Sequence, residues 1–180
     1  MNIIFRYSGF FVVFFSWIMV ILPYFLSKHK KKIEALSDVG ALPKIGFATN
    51  IGVMLVSISQ FVFWIYISSI HPETNILRSV LILFYASFHL LLAGIVHVEI
   101  DKFLHDILIK IYFIFSLAGA YLLSDAFSVI SLEISNILEF VILISGLGSI
   151  VLYYKKTIFA ELWHITLSSI WIVIIYLSIL

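Results

Sequence analysis

Six long apolar runs dominate this sequence of 180 residues and constrain its fold more than any other feature. Each run approaches the roughly 20 residues that an α-helix needs to cross the hydrocarbon core of a bilayer. The sequence therefore predicts an all-α fold, a polytopic transmembrane bundle of six helices with short loops, in a single domain covering residues 1–180. The predicted spans are residues 3–26, 46–70, 79–98, 107–127, 137–154 and 163–180.

The composition excludes an ordinary soluble domain. Hydrophobic residues make up 63% of the chain and charged residues 12%, whereas soluble domains carry about 25% charged residues. The first apolar run is too long for the core of a signal peptide and lacks a small-residue cleavage site, so we expect it to remain as a span. The lack of cysteine excludes disulfides, thiolate catalysis and metal ligation by cysteine. No nucleic-acid partner is expected.

Basic side chains are distributed unevenly between the two ends of the predicted bundle. Nine of the eleven lysines and arginines lie in loops 1, 3 and 5 or at the helix ends beside them: Lys28, Lys30, Lys31, Lys32, Lys44, Lys102, Lys110, Lys155 and Lys156. Cytoplasmic loops carry an excess of such residues. The pattern therefore predicts a multi-pass protein of the plasma membrane, with cytoplasmic odd-numbered loops and both termini outside.

Loop 1 is the longest polar segment of the chain. It opens with a basic run whose lysines are Lys28, Lys30, Lys31 and Lys32. This run helps to fix the topology, and we also predict that it binds anionic lipid headgroups, at about 1 kcal/mol for each lysine near such a surface. Further along the loop, residues 38–40 and Pro43 predict a turn that leads into the second span.

Polar residues within the spans are expected to face the bundle rather than lipid. In the second span, Asn50, Ser57 and Trp64 recur at seven-residue spacing, with Gln60 beside them. This stripe indicates either hydrogen bonds between helices or a path for a ligand or transported solute. His89 lies near the middle of the third span, and Gln60 is its expected partner. Ligation of haem by two histidines needs a second midplane histidine on another helix, so haem is not expected.

The densest group of histidines and carboxylates lies in residues 94–110, GIVHVEIDKFLHDILIK. His97, Asp101 and His105 are four residues apart and would share one face of a continuous helix. A six-span topology, however, needs a turn between His97 and His105. We therefore predict a hairpin turn here rather than a continuous helix.

The predicted topology brings loops 1, 3 and 5 to one face of the membrane, whichever way the bundle is oriented. Candidate ligands of a divalent metal on this face are Asp38, His97, Asp101, His105 and His164, and Glu161 lies beside them. Imidazole and carboxylate groups bind Zn²⁺ and similar ions, and a bound ion can activate water against a lipid ester or amide. The sequence has no HExxH or comparable motif. A solvated hairpin turn without a ligand explains the same residues.

Three short features together resemble a known group of membrane proteins. Residues 37–40, Ser-Asp-Val-Gly, follow the first span, Asn50 lies early in the second span, and His105 stands at the start of the fourth. This arrangement resembles the small six-span prokaryotic membrane proteins of domain of unknown function 998. It is more distantly similar to the Frag/DRAM/Sfk group of eukaryotic membrane proteins. The resemblance implies a six-span topology over almost the whole chain and favours a role involving lipids, because the eukaryotic group is associated with lipid remodelling, lipid distribution and autophagy.

Three functions remain open at this point. The first is a non-enzymatic membrane protein that binds lipid or serves as a subunit of a larger membrane complex, with the bilayer, other membrane subunits or a second copy of the chain as partners. The second is a metal-dependent membrane hydrolase or lipid-modifying enzyme that uses the His/Asp site. The third is a proton-coupled or small-solute transporter that uses His89 and Gln60, although the sequence shows no internal repeat. We prefer the first because the loops are short and carry no catalytic motif.

Overall fold

The structure, a computed structural model, describes residues 5, 7–27, 36–42, 45–96, 99–154 and 158–179. These residues form seven helices and contain no strand. The helices are α1 (Ser8–Leu26), α2 (Leu36–Gly40), α3 (Gly46–Ile70), α4 (Thr74–Ile95), α5 (Lys102–Ala126), α6 (Leu132–Tyr154) and α7 (Phe159–Ser178). A 3₁₀ turn, Phe127–Val129, extends α5.

Every one of these helices except α2 is long and apolar enough to cross a membrane, and each candidate span has 19 to 28 residues. The predicted all-α fold class with six spanning helices is therefore confirmed. Helices that follow one another pack side by side, α3 against α4, α4 against α5 and α6 against α7, while α1 packs against α3 and α7. Phe63 and Ile67 of α3 are fully buried in the core between them.

Four helices begin four or five residues earlier than the sequence predicted: α4 at Thr74 rather than 79, α5 at Lys102 rather than 107, α6 at Leu132 rather than 137, and α7 at Phe159 rather than 163. The added turns contain the charged side chains of Arg78, Asp106, Glu133 and Glu161. The prediction placed these four residues outside the spans. A helix satisfies its own backbone hydrogen bonds, however, and continues past the end of the apolar segment into the polar region.

Residues 36–40 form a helix where the sequence predicted a turn. Leu36 and Val39 are three residues apart and both buried, which gives α2 an apolar face that packs against α3. The turn follows at residues 41–42. The prediction for residues 38–40 was wrong because the packing of two apolar side chains outweighed the turn-forming composition around them.

Helix α1 contains a π-helical segment, Ser16–Ile21, that no sequence signal predicted. The segment lies beside Gly52 of α3, where a Cβ atom would come within 3.0 Å of the Met19 carbonyl oxygen. Gly52 therefore permits the close approach of α1 and α3. Two residues of the segment, Ser16 and Val20, line the cavity described below. Such turns are rare and occur frequently at functional sites.

Candidate functional site

A cavity of about 90 Å³ lies among α1, α3, α4, α5 and α7, and Leu36 of α2 also lines it. Its apolar walls include Val53, Val56, Leu90, Ile109 and Ile165. Its polar lining consists of Ser16, Thr49, Asn50, His105, Tyr112 and Glu161. We call this space the His105 cavity. It combines an apolar wall with a few polar groups, which is typical of ligand sites.

A turn at residues 99–100 lies between α4 and α5, as predicted. Helix α4 ends at Ile95 and α5 begins at Lys102. The side chain of Asp101 is the N-cap of α5 and accepts a hydrogen bond from the Leu104 N–H at 3.0 Å. Because Asp101 is exposed, the role that the structure gives it is to cap this helix.

His105 is 5% exposed, and its two ring nitrogens have different surroundings. Nδ1 lies 3.0 Å from the Ala93 carbonyl oxygen and 2.8 Å from the Val96 carbonyl oxygen, at the C-terminal end of α4. Carbonyl oxygens only accept hydrogen bonds, so Nδ1 carries a proton. Nε2 has no hydrogen-bond partner among the described residues. Leaving a buried polar atom unsatisfied costs about 1–3 kcal/mol, so a ligand that bonded to Nε2 would be stabilised here.

Glu161 connects α7 to α2 beside the His105 cavity. Its Oε2 atom accepts a hydrogen bond from the Leu36 N–H at 2.6 Å, although 125 residues separate the two in sequence. This N–H lies in the first turn of α2 and has no partner within that helix. Asp38 and Asp106 lie close enough to interact electrostatically with the Glu161 carboxylate. The contact between loop 1 and α7 had no signal in the sequence.

Asn50 and two glycines hold α2 against α3. The Nδ2 atom of Asn50 donates to the Gly40 carbonyl oxygen at 3.3 Å. A Cβ atom at Gly40 would overlap Oδ1 of Asn50, and one at Gly46 would overlap the Gly40 carbonyl oxygen. Two of the features behind the family resemblance, Asn50 and His105, thus line the same cavity, and the third, Gly40, is bonded to Asn50.

A second polar group lies deeper in the bundle, among α3, α4 and α5. Nε1 of Trp64 donates to Oγ of Ser87 at 3.1 Å, and that Oγ lies 2.9 Å from Oε1 of Gln60. Nε2 of Gln60 donates to the Tyr112 hydroxyl at 3.4 Å. Trp64 and Gln60 are buried, which confirms that the polar stripe of α3 faces the bundle at these positions. Because Tyr112 also lines the His105 cavity, the network ends at that cavity.

Replacing Ser87 with alanine is expected to lower the free energy of unfolding by about 0.6–1.7 kcal/mol, from the average to the maximum measured for hydrogen bonds between membrane helices. The change leaves Nε1 of Trp64 and Oε1 of Gln60 without the Ser87 hydroxyl. Ser68→Ala is the control, since its exposed hydroxyl bonds only to the Ile65 carbonyl of its own helix. Denaturant unfolding in detergent should separate the two variants, and equal losses would contradict a role for the network.

His89 is buried but does not pair with Gln60 as predicted. Its Nδ1 lies 2.9 Å from the carbonyl oxygen of Tyr85, one turn earlier on α4. Gln60 is instead bonded to Ser87 and Tyr112. The prediction was wrong because a backbone carbonyl of the same helix lies within reach of the imidazole, and depth in the membrane did not reveal this local partner.

His164 lies in a second cavity, of about 30 Å³, which we call the His164 cavity. The side chain is 1% exposed, and Nδ1 lies 3.3 Å from Oγ of Ser145. Nε2 lies 3.4 Å from Oγ of Ser168 and 3.5 Å from Oγ of Ser116. The sequence placed His164 at the start of the last span. Helix α7 begins at Phe159, five residues before His164, and the side chain is enclosed. His164 and His105 therefore line different cavities.

The structure brings together only part of the predicted metal site. His105 and Glu161 line one cavity, while Asp38 is half-buried on α2 and His164 lines the other cavity. Across the described ranges, no group of three His, Asp or Glu side chains is arranged to hold a metal ion. The remaining predicted residues lie outside the described residues: His97, Lys28, Lys30, Lys31 and Lys32. The metal site and the headgroup-binding site stay predictions.

Sequence reasoning missed three polar residues of the His105 cavity, namely Ser16, Thr49 and Tyr112. Their only available signal was polarity within an apolar span. Other serines and tyrosines of the chain share that signal without lining the cavity, so it does not identify a site.

Six long apolar helices enclosing buried polar side chains define the class of this chain, an integral, multi-pass α-helical membrane protein. No family model matches the sequence, and no curated protein or solved structure matches it.

Proposed function

We propose that this membrane protein binds a lipid-like amphiphile in the His105 cavity and does not convert it chemically. The observation that carries the proposal is the combination of an apolar wall with buried and half-buried polar groups at one end. Asn50, His105 and Glu161 each lie within the first five residues of their helices, at the end of the bundle that carries loops 1, 3 and 5. The apolar residues Val56 and Ile165 lie further into the bundle.

The volume of the cavity favours partial insertion of the ligand. Pockets that enclose a whole drug-sized ligand measure roughly 300–1,000 Å³, and the His105 cavity measures about 90 Å³. It therefore accommodates one end of an amphiphile while the remainder of the molecule stays in the bilayer. The excess of basic residues around the odd-numbered loops supports an orientation in which this end faces the cytoplasm, in a plasma-membrane protein.

Binding is proposed in preference to hydrolysis because of the residues present at the cavity. Catalytic zinc sites use three protein ligands. In the described part of the chain, His105 and Glu161 are the two candidate ligands that line this cavity. The resemblance to lipid-associated membrane proteins supports the same proposal.

Filling the cavity is expected to remove the bound lipid. Ile109 lines the cavity, and Ile109→Trp would fill part of it with an indole ring. Ile114 is 64% exposed on the same helix, so Ile114→Trp is the matched control. Native mass spectrometry of protein purified in mild detergent should show one lipid-mass adduct per chain in the wild type and in Ile114→Trp, and none in Ile109→Trp. A wild type without an adduct, or equal adducts in both variants, would sink the proposal.

A further inference from the structure

The hydrogen-bonding groups of the His105 cavity are mostly acceptors, and the first is His105 itself. Nδ1 must donate because both of its neighbours, the carbonyl oxygens of Ala93 and Val96, only accept. In a neutral imidazole, the other nitrogen is then an acceptor. Nε2 is buried and has no partner among the described residues. A ligand that satisfies this atom of the neutral ring must present a hydrogen-bond donor.

Several donors of the neighbouring polar residues are already used. The hydroxyls of Ser16 and Thr49 donate to backbone carbonyls of their own helices, at 2.8 Å and 3.2 Å. Asn50 donates one of its two amide N–H groups to Gly40, and its Oδ1 is an acceptor. Tyr112 keeps its own proton as well, because its hydroxyl accepts from Gln60. It lies seven residues, about two turns, further along α5 than His105.

The charged residues at the cavity also favour a ligand that donates hydrogen bonds. The Glu161 carboxylate lines the cavity and interacts electrostatically with Asp38 and Asp106. Among the described side chains, no lysine or arginine forms an ion pair with Glu161. When it is ionised, this carboxylate only accepts hydrogen bonds, and the repulsion from Asp38 and Asp106 favours a cationic partner at this side of the cavity.

We propose that the polar end of the bound amphiphile is an ammonium group, held by Nε2 of His105 and the carboxylate of Glu161. This inference rests on the proposed lipid binding and names the class of lipid. An ammonium supplies three donors and a positive charge, a hydroxyl supplies one donor, and an ionised carboxylic acid supplies neither. Single-chain long-chain amines and ethanolamine phospholipids both carry this group.

The test uses three amphiphiles with the same chain: dodecylamine, dodecanol and dodecanoate. Each is titrated into the full-length protein in a non-ionic detergent, and the Kd is read from microscale thermophoresis. Dodecylamine is expected to bind at least 10-fold more tightly than dodecanol, and dodecanoate is expected not to bind. Nanodiscs of phosphatidylethanolamine against phosphatidylcholine form the second arm. If the protein retains ethanolamine lipid and binds dodecylamine weakly, the natural ligand is a phospholipid. If it binds dodecylamine tightly and does not retain ethanolamine lipid, the natural ligand is a single-chain amine.

Glu161→Gln separates the charge from the fold, because the amide oxygen of glutamine can still accept from the Leu36 N–H. We expect this variant to bind dodecylamine at least 10-fold more weakly. Glu139→Gln, which removes a half-buried carboxylate of α6 away from the cavity, should bind it like the wild type.

Two outcomes overturn the inference in different ways. The ammonium site is refuted if dodecanol or dodecanoate binds as tightly as dodecylamine. It is also refuted if Glu161→Gln leaves dodecylamine binding unchanged. In both cases the proposed lipid binding stands. If no amphiphile or phospholipid binds the wild type, and purified protein also carries no lipid adduct, the proposed function falls together with the inference.

Discussion

Replacing Gly46 with alanine should destabilise the protein and remove its bound lipid. The methyl group would overlap the carbonyl oxygen of Gly40, and both nearest atoms belong to the backbone of α2, so that helix must move. Overpacking of this kind costs about 1–3 kcal/mol. The unfolding midpoint should fall by about 2–4 °C for each kcal/mol in a chain of this size. Because α2 carries Leu36, its displacement also alters the cavity wall and the contact with Glu161.

Gly146→Ala is the matched control for this experiment. A Cβ atom at Gly146 would lie 3.9 Å from the nearest atom, on Leu117, which is an ordinary van der Waals contact. Alanine favours a helix over glycine by about 1 kcal/mol, so the midpoint should stay constant or rise. Thermal unfolding followed by circular dichroism in detergent compares the two variants. Equal midpoints for Gly46→Ala and the wild type would show that α2 is not packed as described.

Replacing His105 with alanine should have the second large effect, on both stability and binding. The change removes the Nδ1–H group that donates to the carbonyl oxygens of Ala93 and Val96 at the end of α4. Loss of a buried partner costs about 1–3 kcal/mol. It also removes Nε2, the cavity atom that has no partner among the described residues, so the lipid adduct should disappear.

Two further variants separate these roles of His105. His89→Ala removes an imidazole that is equally buried and also bonded to a carbonyl, but one that lies outside the cavity, so stability should fall while the lipid is retained. His105→Asn keeps an N–H donor near the position of Nδ1 and lacks an equivalent of Nε2. It should recover stability without recovering binding. Retention of the adduct in His105→Ala would remove His105 from the site.

The number and order of the spanning helices were predictable because each apolar run is long enough to cross a bilayer. Helix ends were less predictable, since the helices continue through charged residues such as Asp106 and Glu161. Helix α2 was not predictable at all. It has five residues, too few for a periodic pattern, and its Leu36 N–H is bonded to a carboxylate 125 residues away.

The candidate site was predictable only in its residue types. His105 and Glu161 stood out as polar residues at the ends of apolar spans, and both line the cavity. His164 stood out for the same reason and lies in a different cavity, among serines. Sequence spacing places a residue at a depth in the bundle, but packing between helices decides which residues at that depth meet. Tyr112, which joins the two cavities, has a sequence signal no different from that of other tyrosines.

The most direct test of the account is a crystal structure of the chain grown from a lipidic mesophase. Bound lipid is predicted to appear as elongated density with one end in the His105 cavity, where its polar group lies within about 3.2 Å of Nε2 of His105 and of the Glu161 carboxylate. Lipid density confined to the outer faces of the helices, with the cavity filled by side chains or by water alone, would contradict it.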